Sequence, residues 1–181
     1  MTAIDLGRPV QGDVVELILE DHRRFEDLMR TMRDATADRD AARRAFSELH
    51  VAHALAEEEL VYPKLRRKRA IGEHEEEHGH EEHAEGNEAL LALLELSGTD
   101  TQAYDDALEK LAELINHHLT EEELTILNPA REEVGDQVRA ELGAAFAERR
   151  NELLDQGCGS EAQVRKIVEE ARGEGLLDDE D

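Results

Sequence analysis

Residues 50–63 read HVAHALAEEELVYP, and residues 115–129 read INHHLTEEELTILNP. Each stretch contains a His-x-x-x-Glu step, His53 to Glu57 and His118 to Glu122, and the two steps lie about 65 residues apart. A spacing of four puts an imidazole and a carboxylate one turn apart on a single helix face. Two more histidines, His22 and His83, fall in the other two helical segments of the same region. Four helices, each turning a ligand inward, are what a metal site inside a four-helix bundle requires.

The chain around these stretches reads as all-α. Prolines stand only at 9, 63 and 129, and long runs rich in Ala, Leu, Glu and Arg lie between them. Helix one is expected over 12–36 with Asp13 as N-cap, and helix two over 38–68 with Asp38 as cap and Pro63 as a bend near its end. Helix three is expected over 74–97, stopping at Ser97-Gly98. Helix four is expected over 100–128, with Pro129 disturbing its end. The short connections predict antiparallel neighbours in an up-down-up-down four-helix bundle. A C-terminal helical extension follows, with one helix over about 130–155, the breaker Gln156-Gly157-Cys158-Gly159, and a shorter helix over about 160–172. The last residues form an acidic tail. The domain reading is therefore a metal-binding bundle over 12–130 and an extension over 131–181. Val134, Val138, Leu142, Phe146, Leu153 and Val168 give the extension an apolar set, which is expected to pack on the outside of the bundle or across a dimer interface. Cys158 and its neighbouring glycines are expected to form a mobile hinge.

The apolar stripe of each helix sorts the ligands, because successive residues turn by about 100°. His22 shares a face with Val15, Ile18, Phe25, Met29 and Met32. His53 lies with Phe46, Leu49 and Leu60, and Glu57 lies beside it. A carboxylate buried there needs a partner, since burial of a bare charge is costly. His118 falls with Leu111, Leu114 and Ile115, and Glu122 stays on that face. His117 falls with Lys110 and Glu113, and its pairing with Glu121 reads as a solvated face. In helix three His83 is in line with Leu90 and Leu94. His80 is about 60° off that line and within reach of the interior. His74 and His78 fall near the opposite face, and His50 is a marginal candidate. Tyr62, at about 140° from Glu57, is not assigned to the site. Imidazole and carboxylate without thiolate suit iron, manganese or zinc. Two ions sharing carboxylates would use Glu57 and Glu122 as bridges.

Composition sets the outer limits. With 21 Lys and Arg against 46 Asp and Glu, the net charge of the 181-residue chain is −25. That disfavours nucleic acid and anionic membranes, both of which need a basic footprint. A single cysteine, Cys158, excludes an intrachain disulfide and thiolate metal chemistry. The first residues lack the pattern of a signal peptide, and the expected location is cytoplasmic. Aromatic residues make up 3% and Trp is absent, which argues against flavin or haem packing.

Together, Asp21-His22, HALAEEELVYP at 53–63, EEHAEGNEALLALLE at 81–95 and HLTEEELTILNP at 118–129 resemble the hemerythrin-like HHE cation-binding domains. The resemblance covers roughly 14–130. It implies a four-helix bundle around a non-haem di-iron centre of the Fe–O–Fe type. Carried over residue by residue, the implied metal ligands are His22, His53, Glu57, His83, His118 and Glu122, the six that the stripe argument reaches. The oxygen-carrier members have two helix-three histidines four apart; here Gly79 stands four before His83, which fits the subgroup with fewer His ligands and leaves His80 as a seventh candidate. The last motif carries one extra residue before its proline.

The resemblance implies a protein that binds or senses O₂ or a related small oxidant, such as peroxide or nitric oxide; the apolar face of the extension leaves a monomer or a homodimer as the expected assembly. The competing expectation is a di-iron oxidoreductase, an oxidase or a catalase-like peroxide scavenger. Two further classes are a regulatory module whose C-terminal helices respond to metal loss, and a structural bundle with fortuitous histidines. Fold and metal alone do not choose among these.

Overall fold

The computed structural model describes residues 4–177. Among these residues every regular element is helical. Helix α1 spans Val14–Arg33, and the Asp13 carboxylate caps it by accepting the Val15 N–H. Helix α2 spans Arg39–Ala56 and is capped by Asp38. It runs through a π-helical turn, Glu57–Val61, into α3, Tyr62–Arg67. Helix α4 spans Glu73–Leu94. Helix α5, Gln102–Glu122, likewise passes through a π turn, Glu123–Leu127, into α6, Asn128–Glu133. Helices α7, Asp136–Asp155, and α8, Glu161–Gly173, complete the chain.

Two expected boundaries move. Helix four does not stop at Pro129. Pro sits at the second position of α6, where its missing N–H costs little because the π turn has already displaced the ladder. The next helix starts at 136 rather than 130, because Val134 is extended and Gly135 caps α7. The acidic end, from residue 178, lies outside the described residues.

The packing is that of a helical bundle. Helix α1 lies on α2, α4 on α5, and α1 also touches α5. Apolar side chains form two buried clusters. One contains Phe25, Met29, Phe46, Leu49, Leu90 and Leu111; the other contains Val15, Ile18, Val61, Tyr62, Ile126 and Phe146. Fully burying one such side chain contributes about 1.5–3 kcal/mol. In sequence, His22, His53 and Glu122 fall where each helix passes from one cluster to the other, and Glu57 and His118 lie within one turn of that point. A polar layer is thus held between two apolar ones.

The C-terminal helices join this bundle. Helix α7 lies against α1 and α2, and α8 lies against α4. The expected hinge at 156–159 is pinned instead. Ser47 Oγ donates to the Gly159 carbonyl at 2.6 Å, and the Gly159 N–H donates to the Glu48 carboxylate at 3.0 Å. A Cβ at 159 would come within 2.3 Å of the Glu48 backbone, so only glycine allows this approach. Among the described residues no helix is long and apolar enough to cross a membrane.

Candidate metal centre

Two groups of buried donor atoms converge between the apolar clusters. His22, His53, Glu57 and Glu122 form one, and Glu57, His83 and His118 form the other; within each group the donor atoms lie within 4.8 Å of one another. Glu57 belongs to both and is fully buried, at 0% exposure. Its Oε1 faces His53 Nε2 at 3.1 Å, and its Oε2 faces His83 Nε2 at 3.3 Å. Glu122 uses one oxygen for both sides, with Oε2 at 3.1 Å from His22 Nε2 and 3.7 Å from His118 Nε2.

Each of the four histidines turns its other nitrogen to a carboxylate. His22 Nδ1 meets Glu123 at 3.0 Å, His53 Nδ1 meets Asp21 at 3.1 Å, His83 Nδ1 meets Glu58 at 2.7 Å, and His118 Nδ1 meets Glu82 at 2.8 Å. A carboxylate accepts only, so Nδ1 carries a proton and Nε2 is the nitrogen left to face inward. The arrangement has an approximate internal symmetry. The acid preceding the histidine in α1 or α4 (Asp21, Glu82) holds the histidine of the next long helix. The acid following the motif glutamate (Glu58, Glu123) holds the histidine of the other half.

The inward atoms need positive charge between them. His83 Nε2 and His118 Nε2 lie 3.1 Å apart, an approach that needs a proton or a metal ion between them. His53 Nε2 and Glu57 Oε1 are both buried and make no hydrogen bond, although they face each other. Two donors sharing one ion at bond lengths near 2.0–2.2 Å stand about 3–3.5 Å apart. The donor set fits a pair of metal ions of the imidazole and carboxylate type. Protons are the alternative charge. Burial opposes protonation of His53, but the Glu57 and Asp21 carboxylates more than offset it and push its pKa up to about 10. Burial is likewise overcome at His83 by Glu57 and Glu58, with the same result of about 10. The Glu57 carboxyl is held well below its usual range by His53 and His83 despite its burial.

The remaining histidines sit elsewhere. His80 joins neither group; its ring lies beside Tyr62, at 6.0 Å between centroids, and its Nε2 is buried without a hydrogen bond. His50 stacks on Phe46, and burial together with the neighbouring histidines holds its pKa well below 6.5, so it stays neutral. His78 and His117 lie together on the surface beside Glu82. His74 stacks on His78, at 6.0 Å between centroids.

Besides the four outer carboxylates, three residues enter the site that the sequence reading left out. Tyr62 is the first. Its backbone N–H bonds to the Glu57 carbonyl, five residues back, so the π turn carries it over Glu57 instead of about 140° away. Its hydroxyl donates to Glu122 Oε1 at 2.8 Å and lies 3.4 Å from Glu57 Oε2. Burial and the two glutamates raise its pKa well above 10, so the phenol keeps its proton. Gly79 makes room for it: a Cβ there would sit 2.9 Å from the Tyr62 ring. The second and third come from α7. Arg150, at 0% exposure, grips Asp21 with Nε to Oδ2 at 2.6 Å and Nη2 to Oδ1 at 2.8 Å. Phe146 meets the His53 ring edge-on at 5.8 Å. The extension is therefore not confined to the outside of the bundle. The acid following each motif glutamate, Glu58 and Glu123, was the sequence signal for two of the four outer carboxylates.

A helical bundle with buried His/Glu groups able to hold metal defines a class, the cation-binding helical bundles. The family model of the Hemerythrin HHE cation binding domain matches residues 13–130, and the chain belongs to that family. No curated protein and no solved structure matches the chain.

Proposed function

We propose that the protein is a non-haem di-iron protein that binds or senses O₂ or a related small oxidant. The ligands in this reading are His22, His53, Glu57, His83, His118 and Glu122, held by an up-down-up-down core over residues 12–130. The observation that carries it is the shared Glu57, whose two oxygens face histidines of different groups. A carboxylate so placed would offer one oxygen to each of two ions. Iron held there would supply one-electron redox chemistry and a Lewis acid for a small ligand. The protein's part is to orient four imidazoles through their outer carboxylates and to exclude water with the two apolar clusters. The extension over 131–181 belongs to the same unit in this reading, because Arg150 acts on His53 through Asp21.

One observation favours a second reading, a di-iron oxidoreductase such as a catalase-like peroxide scavenger. Tyr62 offers a proton inside the site, hydrogen-bonded to a proposed ligand. Cleaving an O–O bond requires protons, and a buried phenol can hold one there. Anaerobic reconstitution with iron(II), followed by optical spectra before and after O₂ or peroxide, separates the two. Binding or sensing predicts a lasting spectral change that reverses when O₂ is removed. Rapid and repeated consumption of peroxide would establish the second reading and displace the first.

A further inference from the structure

The two halves of the centre differ in how their outer carboxylates are neutralised. Asp21, behind His53, receives the Arg150 guanidinium on both oxygens and Arg24 at 3.1 Å. Glu82 is its counterpart behind His118. Among the described residues no arginine or lysine reaches Glu82, and its ion-pair partners are His78, His117 and His118. The Glu82 side chain is only 7% exposed. One oxygen, Oε2, accepts from His118 Nδ1 at 2.8 Å. The other, Oε1, is buried and makes no hydrogen bond. It points between two surface imidazoles, with His78 Nε2 at 3.5 Å and His117 Nε2 at 3.4 Å.

We propose that His78, Glu82 and His117 form a separate surface site for a divalent transition-metal cation, such as zinc, cobalt(II) or iron(II). The three donor atoms lie within 4.8 Å of one another. The 3.4–3.5 Å separations from Oε1 are those of donors around a tetrahedral ion with bonds near 2.0–2.1 Å. His78 and Glu82 stand one turn apart on α4, and His117 reaches across from α5, so two rigid helices fix the geometry. Two imidazoles select for transition metals against magnesium and calcium, which take all-oxygen sets. Three protein ligands leave a position open to water. The ion takes the place that Arg150 holds in the other half, as the positive charge behind the outer carboxylate. Through Glu82 it sits one residue away from His118.

His78 and His117 are 43% and 62% exposed and belong to neither buried donor group, so replacing them is expected to leave the fold intact. Cobalt(II) is titrated into the full-length chain and into His78→Ala and His117→Ala, with bound metal counted and the visible d–d bands recorded. The proposal expects each variant to bind one ion fewer per chain than the parent, or to bind that ion about 10–100-fold more weakly, at least the loss seen for outer partners of metal ligands. It also expects the bands of the missing ion to vanish. All three chains keep the same buried residues, so the comparison does not depend on how many ions the buried centre takes. Equal stoichiometry and affinity in the three chains would overturn the proposal, and so would cobalt bands that are identical in all of them.

Discussion

Glu57 and Tyr62 show at the scale of single residues how the site is built. Glu57 faces His53 with one oxygen and His83 with the other, and Tyr62 donates its hydroxyl to Glu122. Tyr62 fits only because residue 79 has no Cβ. In the oxidoreductase reading, Tyr62→Phe and Gly79→Ala therefore share one phenotype: iron content close to that of the parent, with slower consumption of peroxide. Iron content and peroxide loss measured on the same samples check this. A Tyr62→Phe protein that consumes peroxide at the parental rate would show that the phenol does not serve the reaction. The raised pKa values of His53 and His83 give a second prediction. Both rise from about 6.5 in the unfolded chain to about 10 in the folded, metal-free protein. Their contribution to stability is complete below pH 6.5 and is lost as the pH climbs toward 10. The metal-free unfolding midpoint should fall across that window. Metal uptake should release protons there, because ions replace them. A midpoint that rises from pH 6.5 to 10 would contradict the assignment.

At the scale of elements, two π turns and one C-terminal helix decide what the histidine helices can do. Both π turns end two residues before a proline, at Pro63 and Pro129. The second begins one residue past its motif glutamate, at Glu123, which absorbs the extra residue before Pro129. Helix α7 contributes Arg150, whose pairing with Asp21 is fully buried. Arg150→Ala should destabilise the fold by about 3–5 kcal/mol, the cost of leaving a buried carboxylate unpaired. It should also weaken metal binding by about 10–100-fold through the loosened His53. Arg150→Lys should restore only part of either, lacking the two-pronged grip. Chemical denaturation and metal titration read the two effects; parental values of both in Arg150→Ala would disprove the link. The inward histidines were legible in the sequence because a regular helix carries a 3.6-residue apolar stripe, and His22, His53, His83 and His118 each fall on one. Tyr62 was not legible, since a stripe argument assumes about 100° per residue and the π turn breaks that rule. Arg150 was not legible either. Its partner is 129 residues away, and no local pattern announces a contact of that range. Asp21 and Glu82 were visible as acids next to histidines, but each serves the histidine of a different helix.

At the scale of the whole molecule, a net charge of −25 surrounds a core whose donors demand positive charge. Such a shell concentrates cations near the protein. Every ion bound only by the folded chain adds to its stability, by about 4 kcal/mol at a free concentration 1,000 times the dissociation constant. Chelation should therefore lower the melting temperature, and iron should restore it. The central claim is that six buried residues from the bundle hold two ions joined by Glu57. Anaerobic iron(II) titration of the full-length chain, with iron counted per chain in the parent and in Glu57→Ala, tests it most directly. To set aside the surface histidines, both chains carry His78→Ala. Two irons per chain are expected in the parent, with a sharp loss of both in Glu57→Ala. Full loading of the Glu57→Ala chain, or a parent that takes up no more than one iron, would contradict it.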